Sequence, residues 1–93
     1  ARQMAERLAA TREQLASVPA SAVVANHAMG LYELAAIHLT RQTPNLGEAV
    51  IAIDALGALV EGLEGRLGEP EATLRDALAN IRMAFVQIKN SVA

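Results

Sequence analysis

Ninety-three residues make one domain, and so short a chain buries only part of its unfolded surface, which leaves it in need of a staple or a partner. Composition excludes the usual staples, because there is no cysteine for a disulfide and two histidines without thiols do not make a structural zinc site. A net charge of −2, a single lysine (Lys89) and only Tyr32 and Phe85 as aromatics argue against a sequence-independent grip on phosphate backbones and against base stacking, so nucleic acid is not the expected partner.

The first residues are charged and periodic where a secretory signal needs an apolar core, so the expected compartment is the cytoplasm. The chain opens at Ala1 without an initiator methionine and reads as a piece of a longer protein. A first helix is predicted over about Arg2 to Ala16, with a thin stripe of Met4, Leu8 and Leu15 interrupted by Thr11, and with Arg2 and Glu6 one turn apart and able to pair. Residues 1–16 are therefore expected to form an N-terminal helix or arm beside a core domain over 17–93. Ser17-Val18-Pro19 reads as a break and restart, with Pro19 in the first turn of the next helix.

The second helix, to about Thr40, is apolar over a broad arc of Val23, Val24, Ala28, Leu31, Leu34, Ala35, Ile37 and Leu39 and is expected to be largely buried. The uncharged stretch from Gln14 to Tyr32 reaches bilayer length, but Pro19, Asn26, His27 and two serines argue against a membrane span. Arg41 to Pro44 closes the helix. Asn45-Leu-Gly-Glu48 then has the pattern of a capping box, opening a third helix that runs to about Glu64, where Gly65 and Gly68 supply left-handed or loose positions. That helix carries a seam of Leu46, Val50, Ile53, Gly57 and Val60 and a second apolar face of Ala49, Ala52, Leu56, Leu59 and Leu63, which predicts two neighbours.

Pro70, between Glu69 and Glu71, opens a fourth helix with negative charge at its positive end. Leu74, Leu78, Ile81, Phe85, Ile88 and Val92 follow at alternating four- and three-residue steps, an uninterrupted coiled-coil seam. The predicted fold is all-α, a small bundle of about four helices with an antiparallel C-terminal hairpin. A turn near Arg66 to Glu69 would set Glu61 against Arg75, Asp54 against Arg82, and Gly57 close to Leu78. Met83 and Val86 lie one turn apart on the side opposite the seam, where either the first helix or a second chain has to cover them.

Ile53-Asp54-Ala55-Leu56, then Leu59, Glu61, Gly65 and Leu67, then Leu74, Leu78 and Ile81-Arg82-Met83-Ala84-Phe85-Val86 form an ordered series of separated positions. In these the chain, over about Val18 to Lys89, resembles domain-of-unknown-function family 1844, a group of short bacterial proteins, and is most similar to its actinobacterial members. It departs from their commoner pattern at Glu61-Gly-Leu-Glu-Gly65. The resemblance implies no catalytic residue. In some actinobacterial genomes such members lie beside a translation initiation factor gene, which implies a translation- or RNA-associated accessory protein as the second functional reading, with Arg2, Arg7 and Arg12 of the first helix as its cations.

The residues themselves point away from chemistry. His27 and His38 are eleven residues apart, three turns along one side of a helix and too far for one ion, so they read as packed or capping residues. Ser17, Ser21 and Ser91 have no neighbouring base, and the glycines lack the lysine and hydroxyl of a phosphate loop. No catalytic, cofactor-binding or metal-ligating residue is assigned and no cofactor is expected. The leading expectation is a non-enzymatic oligomerisation or protein-interaction module, a homo-oligomer with a two-fold dimer favoured, or an adaptor for an unidentified protein partner. A small-ligand or metal carrier using the two histidines is the third reading.

Overall fold

The computed structural model describes residues 1–92. These form four helices, α1 (Arg2–Ser17), α2 (Ala20–Leu39), α3 (Leu46–Gly62) and α4 (Glu71–Val92), with no strand among the described residues. The fold is all-α, as the periodicity predicts.

Each boundary has a local cause. A residue before proline is pushed out of the helical region, and Val18 (φ −94°, ψ 135°) with Pro19 (φ −57°, ψ 135°) makes an extended two-residue elbow that ends α1 and starts α2. Pro19 is thus the cap of α2, one position earlier than its predicted place in the first turn. Asn45 caps α3 as expected, its Oδ1 accepting the Glu48 N–H at 3.2 Å, but the reciprocal half of the capping box does not form. The Asn45 N–H instead donates to the His38 carbonyl at 3.0 Å, which ties the connector to the end of α2 and leaves Glu48 nothing to reach back for. Gly65 and Gly68 adopt φ of 81° and 75°, the left-handed turn that glycine takes without steric cost.

α2, α3 and α4 each pack against the other two, and α1 packs against none of them. α1 therefore extends as an arm about 24 Å long, and the radius of gyration is 16.9 Å where a compact chain of this length would give about 12 Å. The core is apolar throughout: Leu56, Val60, Leu67 and Leu74 are fully enclosed, and Ala25, Ala28 and Ala35 let the neighbouring helices approach α2 closely. Both predicted faces of α3 are used, with Ile53, Gly57 and Val60 buried on one and Ala49, Ala52 and Leu56 on the other.

The second helix is less covered than its sequence predicts. Leu34 and Ile37 are exposed, because three helices enclose fewer directions than the apolar arc of α2 fills. The seam of α4 is likewise only half enclosed. Leu74, Leu78 and Ile81 are buried, Phe85 and Ile88 are half-buried, and Val92 lies in water.

Candidate interaction surface

α3 and α4 form the predicted antiparallel hairpin, but in a different register. Glu61 meets Arg82, with Nη1–Oε2 at 3.0 Å and Nη2–Oε1 at 3.3 Å, and Arg75 meets Glu64 at 2.9 Å and Glu71 at 3.0 Å. The expected Glu61–Arg75 and Asp54–Arg82 pairs do not form. Asp54 is exposed and acts on Arg82 only through its charge. The reason is the connector: α3 stops at Gly62 and α4 starts at Glu71, and the residues between them fold into a loop that inserts Leu67 into the core, so the hairpin turns later than a tight connection would. A seven-residue repeat leaves such a shift open, because the apolar seams match in either register.

Gly57 consequently lies under Arg82 rather than near Leu78, and Arg82 Nη2 occupies the space that a side chain at Gly57 would need. The hydrogen bonds from Arg82, and then its charge, hold the Glu61 carboxyl below its ordinary value, and the bond to Glu61 raises Arg82 in turn. Both side chains stay largely in water, so the pair adds little to stability. Gly57→Ala should displace the flexible end of Arg82 while gaining about 1 kcal/mol of helix preference. The expected change in stability is within about 1 kcal/mol of zero, and a carboxyl titration followed by NMR should show Glu61 returning to its ordinary value.

Glu71 does more than place negative charge at the start of α4. Its carboxylate accepts the backbone N–H of Gly65 at 2.8 Å and of Leu67 at 3.0 Å, as well as Arg75 Nη2. With its side chain only 14% exposed, it latches the connector to the helix that follows. The Gly65 and then the Leu67 N–H hold this carboxyl below its ordinary value, with the Arg75 charge adding to them. Sequence reasoning missed this role; the signal was an acidic residue just after Pro70, close behind a glycine-punctuated connector that carries one leucine.

What remains uncovered is apolar. Met83 and Val86 on α4 are 62% and 53% exposed, and α1, the element that would have to cover them within one chain, does not. Met4, Leu8 and Leu15 of α1 are equally in water. The ion pairs among the described residues are those of Arg75 and Arg82, so the expected Arg2–Glu6 pair is not made. Arg2, Arg7 and Arg12 are exposed, but steps of five residues turn each by about 140° from the last, so they form no common basic face.

His27 is exposed. His38 is half-buried, with its Nδ1 enclosed and without a hydrogen-bond partner. Among the described residues no group of three or more His, Cys, Asp or Glu side chains is gathered closely enough to hold a metal ion, and no helix is long and apolar enough to cross a membrane. Compared with protein-family models, curated proteins and solved structures, the chain matches none.

Proposed function

We propose that the chain is a non-enzymatic helical module of the cytoplasm that works by self-association, a two-fold dimer first, and through it as an adaptor for a protein partner. The observation that carries this reading is α1: sixteen residues with an apolar stripe that do not pack on the bundle of their own chain beyond the elbow, where Leu15 and Ala16 border Val23 and Val24. A helix of that length is marginal in water on its own, and its stability normally comes from packing an apolar face. Met83 and Val86 form a second, smaller uncovered patch. The reading of the chain as a translation- or RNA-associated accessory has less support, because the arginines of α1 are scattered around the helix. The resemblance to domain-of-unknown-function family 1844 fits the proposal in that it brings no catalytic residue. Thermal unfolding at graded protein concentrations tests the reading: Tm should rise with concentration, as association by the folded state requires, whereas a Tm that stays constant from micromolar to millimolar chain would remove it.

A further inference from the structure

We draw no further inference here: the strongest candidate, the exposed stripe of Met4, Leu8 and Leu15 on α1 with the apolar notch at the elbow that Val18, Val23 and Val24 line, is an unpartnered apolar surface, and nothing in the structure shows what covers it.

Discussion

Leu56→Ala should cost about 2–5 kcal/mol, a large share of the roughly 5–15 kcal/mol that holds a domain folded. Leu56 is fully enclosed in a core that also holds Ala25, Ala28 and Ala35 of α2, and its truncation leaves a cavity that such small side chains have no bulk to fill. Phe85→Ala gives the contrast. A fully buried seam position would cost about 3–5 kcal/mol, but Phe85 is half-buried, and about 1 kcal/mol is the expected loss in the monomer. Urea unfolding of both variants, at concentrations low enough to keep the chains apart, measures the difference. A Phe85 cost as large as that of Leu56 would contradict the half-open seam.

The second large effect is expected at Glu71. Its two oxygens serve three donors, and glutamine keeps one acceptor while turning an amide N–H₂ toward another N–H. Either Gly65 or Leu67 then loses its partner, and Leu67 is the residue the connector inserts into the core. Glu71→Gln should lower Tm by several degrees and speed hydrogen exchange at those two amides, more than Glu61→Gln does anywhere.

The pH dependence has a definite sign. The folded carboxyl lies below its ordinary value of about 4.5, so its contribution is complete above that value and is lost as pH falls through the lowered one. The wild type should therefore lose stability on acidification over that range, and the glutamine variant should lack this part of the loss. Equal acid profiles would show that the latch does not form.

What could be read in the sequence, and what could not, divides along local and non-local lines. The two faces of α3 and the start of the α4 seam were legible, because burial on a helix imposes a period that no partner has to supply. The Asn45 cap was legible for the same reason, since donor and acceptor lie three residues apart. The hairpin register was not. Glu61 can meet Arg75 or Arg82 with the seams equally matched, and the choice falls to the connector, whose shape depends on Gly65, Gly68 and a carboxylate beyond Pro70. The second half of the capping box failed on a similar competition, the Asn45 N–H being claimed by His38. For the candidate surface, the sequence marked Met83 and Val86 as uncovered, but that α1 would stand free, and that Leu34, Ile37 and Ile51 would be left exposed, depends on how three helices close around one another.

The most direct test of self-association is the mass of the wild-type chain in solution. Light scattering on the full chain at micromolar concentration should give twice the 9.8 kDa of one copy, falling toward one copy on dilution. A mass of one copy that holds up to millimolar concentration would contradict it, and would leave the exposed apolar stripe of α1 and the Met83–Val86 patch without a partner.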